Sequence, residues 1–212
     1  MQIAIPIFPK LTALDAVGPY EVLQRLPESE LVFVGHEVGA IRTDNGFLGL
    51  IVDRVFEDMP TPDVIVFPGG IGTRNLMNDK RVLDWLRSAH ATSRFTTSVC
   101  TGSLILGAAG LLDGLEATTH WGAYDLLEST GAWPVERRVV EHLDRRIITA
   151  AGVSSGIDMA LRLAELLVDS TAAQAMQLMI EYDPQPPFDA GSVAKAKPDV
   201  RARAGLYSQQ RH

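Results

Sequence analysis

The chain has 212 residues, 46% of them hydrophobic and 21% charged, which suits one large globular domain with a substantial core. A formal net charge of −7 excludes a general nucleic-acid surface, because phosphate binding needs clustered Lys and Arg. The single cysteine excludes an internal disulfide and suits a reducing compartment, and no apolar run approaches the roughly 18 residues that span a bilayer.

Met1-Gln2-Ile3-Ala4-Ile5-Pro6-Ile7-Phe8 lacks the basic region of a signal peptide and reads as a first strand over 2–8, so a cytoplasmic protein is expected. Leu14, Val17, Val22, Leu23 and Leu26 then recur near helical spacing; Gly18-Pro19 inside this run predicts a kink, or a late helix start near Asp15. A second strand is expected over 30–37. Strands over 40–43 and 48–53 flank Asp44-Asn45-Gly46, where Asn-Gly is a strong hairpin signal. The apolar run 62–67 reads as a strand buried on both faces of a parallel sheet, and it runs straight into Pro68-Gly69-Gly70.

A helix over 79–93 follows, then Phe95-Thr96-Thr97-Ser98-Val99-Cys100-Thr101-Gly102-Ser103, a β-branched run giving way to a small-residue helix that ends near Gly110. The rest predicts a short strand over 116–119, a helix over 122–130, a hairpin over 139–149 and helices over 155–167 and 171–181. Residues 183–212, with Pro184, Pro186, Pro187 and Pro198, are expected to form a C-terminal wrap with a short last helix, within a single domain of residues 1–212. Alternating βα units of this kind predict an α/β three-layer sandwich with a mostly parallel central sheet.

The cysteine falls where a strand turns into a helix. Unpaired N–H groups and the helix dipole favour thiolate there, so a lowered thiol pKa is expected; the arrangement resembles the nucleophile elbow of α/β hydrolases with Cys in place of Ser. A free cysteine is also a common apolar filler, and position alone does not choose between the two. Asp15 is similarly double: Thr12-x-x-Asp15 fits a helix capping box. Glu21 reads as a solvated carboxylate and His120 as hydrogen-bonded structure. His36, His90, His142 and His212 show no ligand spacing, so no metal site is expected. The glycine loop lacks Gly-Lys-Ser/Thr, so no nucleotide and no other cofactor is expected either.

Pro68-Gly69-Gly70, Ser98-Val99-Cys100-Thr101-Gly102-Ser103 and Thr118-Thr119-His120-Trp121 together resemble the ThiJ/PfpI superfamily, a flavodoxin-like group related to class I glutamine amidotransferases. Leu14-Asp15-Ala16-Val17-Gly18-Pro19, Ser155-Gly156-Ile157-Asp158 and the late Pro186-Pro187-Phe188-Asp189 are most similar to its isocyanide-hydrating branch. Peptidases of the group resemble one another in having His directly after the cysteine, where this chain has Thr101, and the amidotransferases in a late His-Pro-Glu that is absent here.

The resemblance implies that Cys100 is the nucleophile and Asp15 its carboxyl partner. The activity implied is hydration of a small-molecule isocyanide to an N-substituted formamide through a thioimidate, with Asp15 first protonated and later a base. Backbone N–H groups at Gly70 and Thr101 are the expected holders of developing negative charge. A homodimer is implied by the resemblance alone, with no nucleic-acid or membrane partner. Two other classes remain: a thiol enzyme acting on reactive carbonyls or sensing oxidation, and an amidotransferase-like regulatory module, whose helix-turn-helix domain is not expected in a chain ending at His212.

Overall fold

A computed structural model of the chain describes residues 1–209, so His212 lies outside the described residues. The chain forms two compact units, Met1–Ile180 and Glu181–His212. In chain order the first contains β1 (Gln2–Pro6), α1 (Ala13–Leu23), β2 (Glu30–Gly35), β3 (Gly39–Arg42), β4 (Gly49–Val52), β5 (Arg54–Val55), β6 (Val64–Phe67), α2 (Thr73–Leu76) and α3 (Lys80–Thr92). It continues with β7 (Phe95–Val99), α4 (Ser103–Ala108), β8 (Glu116–Ala117), α5 (Tyr124–Glu128), β9 (Trp133–Pro134), β10 (Val139–His142), β11 (Ile147–Ala150), α6 (Ser155–Leu167) and α7 (Ser170–Met179). The second unit holds one helix, α8 (Pro198–Gln209), among its described residues. No helix of the described residues is long and apolar enough to cross a membrane.

Seven strands form the main sheet in the order β10-β11-β7-β6-β1-β2-β5, all parallel except the β10–β11 hairpin. This is the flavodoxin-like α/β arrangement, and its central strands are shielded from water: every residue of β6 and β11 is buried. After β1 the chain adds β2 on one side and then crosses back to place β6 on the other. Such a reversal opens a crevice at the carboxyl ends of the two strands. The loops after β1, β6, β7 and β11 all leave the sheet at that edge.

Several expectations need correction. α1 begins at Ala13, two residues ahead of the late start near Asp15 that was one of the two expectations, and runs on through Pro19 to Leu23. Tertiary packing outweighs the lost backbone bond: a Cβ on Gly18 would lie 3.1 Å from Ile157, and one on Gly156 would lie 3.3 Å from Pro19, so α1 and α6 cross closely at small residues. The strand over 116–119 shortens to β8, which leaves the main sheet to pair in parallel with β9. β5, β9 and the single turn of α2 were not anticipated, since pieces of two to four residues carry no period.

The β7–α4 junction is tightly built. Cys100 adopts φ +56, a left-handed conformation that strains an L-residue, and a 3₁₀ turn over Cys100–Gly102 leads into α4. The Cys100 N–H donates to the Ala151 carbonyl at 2.8 Å, while its own carbonyl accepts from Ser103 Oγ at 3.1 Å and Thr119 Oγ1 at 3.0 Å. Gly102 then passes so near the end of β6 that a Cβ would collide with the Phe67 carbonyl oxygen. Substituting Gly102→Ala is therefore expected to lower stability by about 1–3 kcal/mol, read from the urea unfolding midpoint at unchanged slope.

Candidate active site

Cys100 heads the crevice, with only 5% of its surface exposed. Two backbone N–H groups, of Thr101 and of Val153, act on its sulfur as hydrogen-bond donors. Val153 lies in the loop after β11 and is itself at φ +39. Neither its role nor its conformation had a signal in the sequence, because a valine in a loop is an ordinary residue until the turn aims its N–H.

Asp15 arrives from α1 and is fully buried. Thr12 is the N-cap residue of α1, yet its side chain makes no capping bond; its hydroxyl turns to Asp44 instead. The Asp15 carboxyl does not serve the helix start either. Oδ2 accepts the Gly69 N–H at 3.0 Å, and Oδ1 is buried without a conventional donor, while the carboxyl and the Cys100 thiol are close enough to interact through both charge and hydrogen bonding. The capping-box alternative is thus set aside: the carboxyl reaches across to the end of β6.

Gly69 fixes this approach. A Cβ there would stand 2.5 Å from the Thr101 nitrogen, 2.7 Å from Thr101 Oγ1 and 2.8 Å from Asp15 Oδ2, so only a hydrogen fits between the elbow and the acid. Gly70 follows at φ +130, and its N–H donates to Thr101 Oγ1 at 2.9 Å, while the same hydroxyl is 3.0 Å from the Gly70 carbonyl. The Gly70 N–H is therefore engaged by the Thr101 side chain. Of the expected donors, the Thr101 N–H faces the sulfur.

Other candidates fall outside this group. Glu21 pairs with Arg25 at the surface. His120 Nδ1 accepts from the Gly122 N–H at 3.2 Å, and its ring packs on Trp121 with centroids 5.2 Å apart. Arg74 is the residue that sequence reading missed: half-buried on α2, it donates to the Gly70 carbonyl at 3.3 Å, and its positive charge acts on Cys100 and His120. Among the described residues no cluster of three or more His, Cys, Asp or Glu side chains could hold a metal ion.

The electrostatics differ from expectation at the sulfur. Burial pushes the Cys100 thiol well above its ordinary value and the Asp15 charge pushes the same way, outweighing the two N–H donors. The helix dipole cannot reverse this, because α4 has only six residues. Burial also raises Asp15, from 3.8 to about 7; the Cys100 and Gly69 hydrogen bonds oppose the rise and the Asp44 charge adds to it. Two acids that each resist ionisation in one pocket titrate as a pair, holding a single negative charge and a single proton once the first proton has left.

A strained cysteine elbow facing a buried acid, at the crossover crevice of a flavodoxin-like sheet, defines the class of α/β protein. The chain belongs to the DJ-1/PfpI family, whose description matches residues 1–166. It is 48% identical to the isonitrile hydratase of Pseudomonas putida over 192 residues, covering 91% of this chain and 83% of that protein. The DJ-1 homolog A of Arabidopsis thaliana is 29% identical over 87% of this chain but only 47% of its own length. In three dimensions the chain is similar to a crystal structure of a ThiJ/PfpI family protein from Pseudomonas syringae, with a TM-score of 0.92, 40% identity, and coverage of 98% of this chain and 86% of that one.

The raised Asp15 pKa carries a sign. A carboxyl that ionises near 7 when folded and near 3.8 when unfolded contributes its full stability below about pH 4 and loses it as pH rises through 7. Asp15→Asn is therefore expected to be more stable than the parent at pH 8 relative to pH 4, with a differential bounded at roughly 4 kcal/mol. Thermal unfolding of both proteins across that range checks it, and a constant difference would contradict the assignment.

Proposed function

We propose that this protein hydrates isocyanides to N-substituted formamides, with Cys100 as nucleophile and Asp15 as proton carrier. The observation that carries the reading is the buried Asp15 carboxyl set against the Cys100 thiol, in a chain 48% identical to an isonitrile hydratase. The pair supplies what the chemistry demands, a nucleophile and a proton in the same pocket.

In the form holding one proton, the sulfur attacks the terminal carbon of R–N≡C and an S–C bond forms. That carbon develops carbanion character and takes the proton from Asp15, giving the thioimidate R–N=CH–S–Cys100. The ionised Asp15 carboxylate then removes a proton from an attacking water and delivers it to nitrogen. Collapse breaks the C–S bond, expels the thiolate, forms the formyl C=O and returns the hydroxyl proton to the Asp15 carboxylate, releasing R–NH–CHO and restoring the starting pair. The Thr101 and Val153 N–H groups favour negative sulfur at the start and end of this cycle. Thr101 Oγ1, held by Gly70, keeps the first of those donors in register.

Formamide release from a panel of alkyl and aryl isocyanides tests the reading. Activity is expected to rise with pH through about 7 as the pair loses its first proton. Asp15→Asn is expected to lose about 10²–10⁴-fold in kcat/KM together with that pH limb. Absence of formamide from every isocyanide tried would return the protein to the carbonyl-processing or oxidation-sensing thiol chemistries.

A further inference from the structure

We infer that two half-buried charges, Asp44 on the β3–β4 hairpin and Arg74 on α2, flank the Asp15–Cys100 pair and bias its shared proton away from sulfur and toward the carboxyl. They are positioning residues, acting through the pair rather than touching substrate. The inference rests on the proposed roles of Cys100 and Asp15 and is independent of the identity of the substrate.

The placement comes from hydrogen bonds. The Asp44 N–H donates to the Leu11 carbonyl at 2.9 Å, and its Oδ2 accepts from Thr12 Oγ1 at 3.4 Å. The Thr12 N–H donates to the Gly69 carbonyl at 3.0 Å, and the Gly69 N–H in turn donates to Asp15 at 3.0 Å. The hairpin is thus tied, through one residue on either side of the crevice, to the acid. On the other flank Arg74 Nη1 donates to the Gly70 carbonyl, which also accepts from Thr101 Oγ1, so the guanidinium is anchored to the turn that follows the nucleophile.

Among the described residues no cation forms an ion pair with Asp44 and no carboxylate forms one with Arg74. Asp44 raises Asp15, Arg74 and the Cys100 charge attract one another, and burial first and the Arg74 charge second lower His120. Half-buried charges are screened less by salt than exposed ones. Negative charge beside the carboxylate and positive charge beside the sulfur both favour the same tautomer, thiolate with carboxylic acid, which is the form that can attack and then protonate carbon. A unit charge acting across such a boundary changes an ionisation equilibrium about tenfold.

Because Cys100 is the only cysteine, alkylation by iodoacetamide reports on it alone. The rate against pH, together with ultraviolet absorbance of the thiolate, gives a midpoint for the pair's first ionisation and a plateau set by the thiolate share. Asp44→Asn removes repulsion, so its midpoint is expected to move down by roughly one pH unit while its plateau falls about tenfold, charge having shifted to Asp15. Arg74→Gln weakens ionisation at sulfur without easing it at Asp15, so its plateau is expected to fall about tenfold while its midpoint stays or rises by at most about 0.3 unit, with Arg74→Lys restoring the plateau. A common loss of plateau, with the midpoint clearly lowered in Asp44→Asn alone, is a signature that mere loosening of the loop does not produce.

An unchanged or raised plateau in Asp44→Asn, a midpoint lowered in both variants, or an Arg74→Lys protein indistinguishable from Arg74→Gln would each overturn the inference. Should Arg74→Gln not fold, Asp44→Asn and Arg74→Lys still decide it. The expected shifts in a protein that releases no formamide would uphold the flanking charges and overturn only the isocyanide reading.

Discussion

A carboxyl and a thiol, both removed from water and both resisting ionisation, share one pocket, and the architecture around them serves to make that arrangement tolerable. Burying an ionisable pair is costly unless its charge is met by donors. Here the donors are backbone N–H groups from three separate loops: Gly69 for the acid, Thr101 and Val153 for the sulfur. Backbone donors on short, braced turns cannot titrate or rotate away, which makes them reliable partners for a group whose charge comes and goes.

The sheet explains why three loops meet. Crossing back over β1 to add β6, then β7 and β11, stacks the carboxyl ends of the central strands side by side. Each strand ends in a turn with a special backbone: positive φ at Gly70, at Cys100 and at Val153. α1 supplies the remaining partner by crossing α6 at Gly18 and Gly156, where the lack of side chains lets the two helices close together and brings Asp15 over the crevice.

Much of this could be read from residue order, and for identifiable reasons. Buried strands and amphipathic helices have periods of their own, so the limits of α6 and the Asn45-Gly46 hairpin emerged directly, as did the elbow from a β-branched run turning into small residues. The ambiguity of Asp15 had a physical source. Thr-x-x-Asp looks the same whether the carboxyl turns back on its helix or across to another strand, and only the Gly69 N–H decides. Arg74, Val153 and the Thr101 hydroxyl left no trace, since each matters through a contact between loops distant along the chain. The thiol pKa was misjudged because the length of α4 and the depth of the sulfur are three-dimensional quantities.

The backbone at Cys100 has a further implication. Its left-handed conformation is held from both ends, by the Ala151 carbonyl and by two hydroxyls on its own carbonyl, so the peptide has no freedom to swing into a more comfortable region. Glycine is the residue that such a site would accept most readily. The chain instead carries a side chain at a spot inhospitable to one, a standing trade of robustness for reactivity, and a lineage relieved of the need for the thiol would be free to drift toward the smaller residue.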